Sequence, residues 1–271
     1  MEHKQITARG GTVHYFFQKS AQGKGCIFFT HGLTADHRMF EKQTEHFGEE
    51  YDLLLWDVPM HGLSRPYDGF SYAETARIMH DILLRENIGS VVLVGMSMGG
   101  YPCQHFAARY PETVRGFIAI DTTPLGKSYY SRSDIWWLKR AASMAKLFPT
   151  GLLKKSMARS ISATRYSYEK MLEMLAPLSK EDIVAQMHVA YDRFIDENMD
   201  VSFDFPVMII LGEKDSSGKV RQYCEKWAEQ TGYPLYRIKG AKHFANGDRP
   251  DEVNALMESF LDEVCGGEDE K

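Results

Sequence analysis

With 271 residues, 44 % of them hydrophobic, the chain can bury one large core, or one core that carries an insertion. A net charge of −5 argues against a nucleic-acid binder. No N-terminal stretch reads as a secretory signal and no apolar run approaches the roughly 18 residues of a membrane span. Cys26, Cys103, Cys224 and Cys265 form no CxxC pair, so reduced thiols, a cytoplasmic location, no metal and no cofactor are expected.

In chain order, strands are predicted at 12–18 (TVHYFFQ), 26–30 (CIFFT), 52–57 (DLLLWD), 91–95 (VVLVG), 116–121 (GFIAID), 207–212 (VMIILG) and 235–239 (LYRIK). The middle ones are apolar on consecutive residues, as in strands buried on both faces. Between them, residues 71–87 place Ala73, Ala76, Met79, Ile82 and Leu83 at helical spacing. A C-terminal helix carries Val253, Leu256, Met257, Phe260 and Leu261, with Pro250 in its first turn. This alternation predicts an α/β fold with a largely parallel sheet. From about Thr122 to Phe205 no strand pattern appears, and three or four helices are read instead. The expected division is a core of 1–121 and 206–265, a helical insertion of 122–205, and a disordered acidic tail of 266–271.

The segment GMSMGG (95–100) places Ser97 between a buried strand and a helix, GGYPCQHFAARYP. At so tight a corner side chains collide, and Gly95 and Gly99, two positions either side of the serine, relieve the crowding. A strand-to-helix turn with an incidental serine is the alternative. A serine hydroxyl needs a base to become a nucleophile. Of ten histidines, His243 follows the last strand and precedes the C-terminal helix, where ligands approach such sheets. His37, His80, His105 and His188 read as surface or packing residues. The base needs a carboxylate, and Asp215 lies just beyond a buried strand in the order serine, acid, histidine. Chain order alone does not separate Asp215 from Asp121, which also follows a strand; Glu213 lies closer to the strand end. Asp215 is preferred. For a developing oxyanion, the backbone N–H groups of Leu33, after His31–Gly32, and of Met98 are the natural donors.

Together these motifs resemble the α/β-hydrolase superfamily: H-G at 31–32, G-x-S-x-G at 95–99, G-E-K-D at 212–215 and G-A-x-H at 240–243. The resemblance spans nearly the whole chain and implies an eight-stranded-type, mostly parallel sheet flanked by helices, with a helical cap inserted after the sixth strand. It implies a catalytic triad of Ser97, Asp215 and His243 and an oxyanion hole at Leu33 and Met98. DVPMHGLSRP (57–66) is similar to the family's D-x-x-G-x-G-x-S stretch, but Met60 and His61 replace its usual Gly-His order. That departure leaves the path of the loop open: Met60 and His61 either only shape it or stand at the site mouth as candidate substrate contacts, and His31 is a further candidate contact. Ser97 argues against the activities of family members with an aspartate nucleophile, the haloalkane dehalogenases and epoxide hydrolases, whose chemistry needs a carboxylate there.

The insertion is rich in large apolar groups, among them Trp136, Trp137, Leu138, Met144, Leu147, Phe148, Leu152, Leu153 and Met157. Most are expected to pack the cap on the core, with Trp136 and Trp137 as candidate substrate contacts. An apolar cap favours an acyl or aromatic substrate. Between Lys127 and Arg165, nine basic residues face one acidic, Asp134; the segment is +8 and the remainder −13 for a total of −5. Such a run is usually a solvated face, but it also suits an anionic substrate, a lipid surface or an acyl-carrier protein. The resulting expectation is a serine hydrolase that cleaves a carboxylic ester through an acyl-enzyme. Thioesterase, lactonase, perhydrolase or C–C bond hydrolase activity uses the same triad. A small-molecule receptor with a retained triad belongs to a different class.

Overall fold

The computed structural model describes residues 1–266, so that the predicted tail lies, apart from Gly266, outside the described residues. Eight strands form one sheet: β1 (Glu2–Ala8), β2 (Gly11–Gln18), β3 (Cys26–Thr30), β4 (Asp52–Trp56), β5 (Val91–Met96), β6 (Val114–Ile120), β7 (Val207–Gly212) and β8 (Leu235–Ile238). Their order is β1-β2-β4-β3-β5-β6-β7-β8. β1 and β2 pair antiparallel, β2 meets β4 antiparallel, and every later pairing is parallel.

The strand missing from the sequence reading is β1. EHKQITA has only Ile6 and Ala8 as apolar residues, and it is an edge strand whose exposed and half-buried positions alternate. Edge strands carry charge to discourage intermolecular pairing, so their hydrophobic signal is weak. The middle strands are legible for the opposite reason. Along β3, Ile27 and Phe29 enter one core while Cys26 and Phe28 enter the other. Every position is buried, so the strand reads as an unbroken apolar run.

The helices are α1 (Glu41–Phe47), α2 (Tyr72–Arg85), α3 (Gly100–Arg109), α4 (Arg132–Ala145), α5 (Thr150–Ile161), α6 (Arg165–Leu175), α7 (Lys180–Asp196), α8 (Val220–Thr231), α9 (Ala245–Asp248) and α10 (Pro250–Cys265). One face of the sheet buries residues of α1, α9 and α10, the other those of α2, α3 and α8. α4 to α7 all fall between β6 and β7. Three of these four helices start on a capping box, at Ser131, Thr164 and Ser179, where each side chain takes an N–H that the first turn leaves free. The insertion contributes to both cores: Leu153, Ala158, Met171 and Leu175 to one, Ala190 and Phe194 to the other. Among the described residues, no helix is long and apolar enough to cross a membrane.

Strand order reverses direction at β3 and β5: from β3 the chain steps outward to β4, then returns to lay β5 on β3's other side. In open α/β sheets ligands bind at such a switch point, at the carboxyl ends of the strands.

Candidate active site

Ser97 leaves the carboxyl end of β5 at φ +51°, a left-handed conformation that costs a non-glycine residue about 1–2 kcal/mol. The corner is as crowded as the sequence predicts. A Cβ on Gly99 would stand 2.0 Å from the Thr30 carbonyl oxygen, and one on Gly95 would stand 2.6 Å from the Gly100 Cα. Both obstacles are backbone, so neither can swing aside.

Ser97 Oγ lies 2.7 Å from His243 Nε2, and His243 Nδ1 lies 2.7 Å from Asp215 Oδ2. A carboxylate only accepts, so Nδ1 carries the hydrogen and Nε2 presents its lone pair to the serine hydroxyl. Asp215 is oriented in turn by the Ser217 N–H, which donates to Oδ1 at 2.7 Å. Burial pulls the His243 pKa down, but its hydrogen bond to Asp215 and the charges of Asp215 and Asp121 outweigh that, leaving it above the usual histidine value.

The two other carboxylates are otherwise engaged. Asp121, fully buried, accepts the Gly212 N–H at 2.7 Å and the Ala245 N–H at 3.2 Å. It faces the pair, with one oxygen within 4.8 Å of His243 and Asp215 ligand atoms. Burial pushes its carboxyl well above the usual range, against the pull of His243. Glu213 accepts the Gly240 N–H on the exposed outer side. Asp121, Asp215 and His243 are spaced as metal ligands would be, as are Asp36, His37 and Asp57, but their oxygens already accept N–H groups or pair with histidine.

Opposite the serine, a Cβ on Gly32 would lie 3.3 Å from Ser97 Cβ, so the loop after β3 runs beside Ser97. His31 pins this loop. Its Nε2 accepts the Val58 N–H at 3.0 Å, which leaves Nδ1 to donate to the Gly32 carbonyl at 2.8 Å. In a planar trans peptide the Gly32 carbonyl and the Leu33 N–H point in opposite directions, so holding one aims the other. Among the described residues neither the Leu33 nor the Met98 N–H bonds to another backbone carbonyl. His31 is fully buried, and burial pulls its pKa down. It is therefore part of the loop's framework, a role that the sequence did not separate from substrate contact.

The unusual DVPMHGLS loop is also resolved. Asp57 accepts from the His37 backbone and ring at 2.9 and 2.8 Å and from the Leu63 N–H at 2.7 Å. Met60, at φ +70°, stands in the left-handed conformation where glycine is the usual choice. Its carbonyl accepts from Gln186 Nε2 on α7 at 2.7 Å, tying the loop to the insertion. His61 is buried, its Nδ1 donating to the Pro59 carbonyl at 3.1 Å, while its Nε2 finds no partner among the described residues. Burial, with the neighbouring His31, lowers its pKa to about 3.

Trp136 and Trp137 depart from expectation. Their rings pack edge-to-face on each other, 4.8 Å apart, with Arg140 over Trp136, and both are exposed. None of these contacts involves Ser97, His243 or their loops. Met144, Leu147, Phe148 and Leu152 are exposed as well; of the apolar groups expected to pack the insertion on the core, Leu153 alone is fully buried, with Leu138 and Met157 partly so. Hydrophobicity in a helix does not say which way a side chain points when the helix lies at the surface.

The sequence missed Asp248. This buried carboxylate accepts the Ala163 N–H at 2.8 Å, the Thr164 N–H at 3.0 Å and the Ser167 hydroxyl through Oδ1, and the Lys242 N–H at 2.9 Å through Oδ2. The Phe244 N–H donates to the Ile161 carbonyl at 2.9 Å. The residues on either side of His243 are thus bonded, directly or through Asp248, to the α5–α6 junction.

A strand–serine–helix corner, an acid after β7 and a histidine after β8 on this sheet define an α/β hydrolase. Residues 25–250 match the alpha/beta hydrolase fold family, and the chain belongs to it. It is 25 % identical over 270 residues to a putative esterase/lipase of Haemophilus influenzae, covering 96 % of this chain and 91 % of that one. It is 24 % identical over 265 residues to the 2-(acetamidomethylene)succinate hydrolase of Mesorhizobium japonicum, covering 93 % of each. A thermophilic esterase from Thermogutta terrifontis shares its fold with a TM-score of 0.79 at 20 % identity, covering 97 % of this chain and 99 % of that one.

Proposed function

We propose that the protein is a serine hydrolase that cleaves carboxylic esters through an acyl-enzyme on Ser97. The supporting observation is the unbroken chain Ser97 Oγ–His243 Nε2 and His243 Nδ1–Asp215 Oδ2, each link 2.7 Å, on a serine held at φ +51°. Ser97 Oγ attacks the ester carbonyl carbon as its proton passes to His243 Nε2. The tetrahedral oxyanion takes the Leu33 and Met98 N–H groups. The bond to the alkoxy oxygen then breaks, and His243 returns the proton to the departing alcohol. A water molecule gives its proton to His243 and attacks the acyl-serine; collapse frees the carboxylic acid and restores Ser97. Asp215 stays ionised throughout and stabilises the imidazolium.

Relatives named as an esterase/lipase and as a hydrolase support the reaction class. Partly buried Leu33 and Met60, on loops after β3 and β4, favour an apolar acyl or aromatic group. We take the α4–α7 insertion to be a cap over this site. The test is a panel of p-nitrophenyl esters of increasing acyl length with matched thioesters. Ester turnover and fluorophosphonate labelling are both expected to vanish in Ser97→Ala, apart from the residual rate that binding and the oxyanion donors supply. An unchanged rate in Ser97→Ala would overturn the mechanism, and a preference for thioesters would overturn the substrate class.

A further inference from the structure

From Trp136 to Leu152, over α4, the turn after it and the start of α5, the chain carries a concentration of bare apolar side chains. Trp136, Trp137, Met144, Leu147, Phe148 and Leu152 are each between 43 and 83 % exposed. Only four other large apolar side chains among the described residues are this exposed, and they are scattered: Met1, Leu63, Leu84 and Tyr236. On α4 the exposed positions fall at helical spacing, with Trp137, Arg140 and Met144 following one another by three or four residues, and Leu147 and Phe148 continue into the turn. Soluble proteins keep contiguous apolar patches small unless they serve an interaction.

The same stretch is strongly basic. Arg132, Lys139, Arg140, Lys146, Lys155 and Arg159 have no carboxylate partner among the described residues. The lone acid of the region, Asp134, is already paired with Lys219 and caps α4. Arg140 sits 3.7 Å above the centre of the Trp136 ring, so cation and aromatic stand together. Protein–protein interfaces are depleted in lysine. Lysine and arginine beside tryptophan, phenylalanine and leucine, on helices too short to span, are instead the composition of elements that lie in a bilayer's headgroup region.

We propose that the α4–α5 face docks peripherally on an anionic phospholipid surface. Its apolar stripe enters the acyl–headgroup boundary while the flanking cations meet the lipid phosphates and carboxylates. The stretch 127–165 is +8 against −13 for the rest of the chain, so the attraction favours this part of the surface. Docking requires no ester cleavage, so it stands or falls apart from the proposed reaction.

The experiment is sedimentation of the full chain with vesicles of phosphatidylcholine, alone or with about 30 mol % phosphatidylserine, at low and high salt. Binding is expected to the anionic vesicles, to weaken with salt, and to persist in Ser97→Ala. Each cation near the surface strengthens binding about fivefold, so combining Lys139→Gln, Lys146→Gln and Lys155→Gln should weaken it roughly a hundredfold. Trp56 and Trp227 are buried, so a blue shift of the tryptophan emission on vesicles should come from Trp136 and Trp137 and disappear in the Trp136→Ser, Trp137→Ser variant. Should a variant fail to fold, quenching of wild-type emission by brominated lipid reads the same contact. No sedimentation and no quenching would overturn the proposal. So would equal binding to uncharged vesicles, or capture of an acidic carrier protein by this face without vesicle binding.

Discussion

The Asp121 carboxylate receives the Gly212 N–H at 2.7 Å, across the ends of β6 and β7, and turns its other oxygen to the Ala245 N–H. It braces the two segments that carry Asp215 and His243 and is not His243's hydrogen-bond partner. The two aspartates should therefore fail differently. Asp215→Asn is expected to lower kcat by roughly 10⁴-fold with little change in melting temperature. In Asp121→Asn the amide can accept only one N–H and opposes the other, a cost of about 1–3 kcal/mol. Thermal melts beside ester turnover separate them. A turnover collapse in Asp121→Asn at unchanged stability would make Asp121 the acid.

In the proposed mechanism His243 must be neutral to take the serine proton, so the acid limb of activity should report it. Its pKa is raised, so kcat/KM should climb with pH through a midpoint above about 6.5, and Asp215→Asn should move that limb to lower pH. The stability linkage runs the other way. A histidine with a raised folded pKa contributes stability that is fully present below about 6.5 and is lost as pH rises through the folded value.

His61 and His105 titrate with the opposite sign. Burial lowers them to about 3 and about 4, so between those values and about 6.5 the unfolded chain binds more protons than the folded one. Stability should fall as pH drops through this window, and His61→Gln should flatten the slope by up to one proton. Chemical denaturation at a series of pH values measures it. An unchanged slope would mean that His61 is not held neutral.

His31→Ala tests the aim of the Leu33 N–H. Deleting an oxyanion donor costs about 10²–10³ in rate, and loosening one should cost less, about 10–100-fold in kcat with KM little changed. A rise in KM at constant kcat would instead make His31 a substrate contact.

How much of this was legible in the sequence follows from what each residue does. Ser97 and Asp215 stand just beyond β5 and β7, which like β3 are buried at every position, so strand and loop separate cleanly there. His243 instead follows the partly exposed β8 and is marked by its place before the C-terminal helix. Gly95 and Gly99 are forced by backbone contacts and so signal the corner directly. β1 stayed hidden because an edge strand keeps charged side chains. Trp136 and Trp137, candidate substrate contacts by sequence, show what composition does not reveal, namely orientation: α4 turns both to the outside. Asp248 was invisible for another reason. Its partners Ala163, Thr164 and Ser167 lie more than 80 positions away, and no local pattern marks an aspartate as their common acceptor.

That acceptor gives the last prediction. Asp248 holds the α5–α6 junction through the Ala163 and Thr164 N–H groups and the Ser167 hydroxyl, and it holds the His243 loop through Lys242. In Asp248→Asn one oxygen becomes an amide nitrogen, which must face N–H donors on one side or the other. The variant should lose about 2–4 kcal/mol, more than a surface change because the donors are left buried and unpaired. Its local signature is more specific than its size. Amide exchange should quicken together at 161–167 and 242–245, and kcat should fall while the Ser97 corner keeps its protection. Exchange that quickens evenly across the sheet would make Asp248 a general stabiliser and uncouple the insertion from His243.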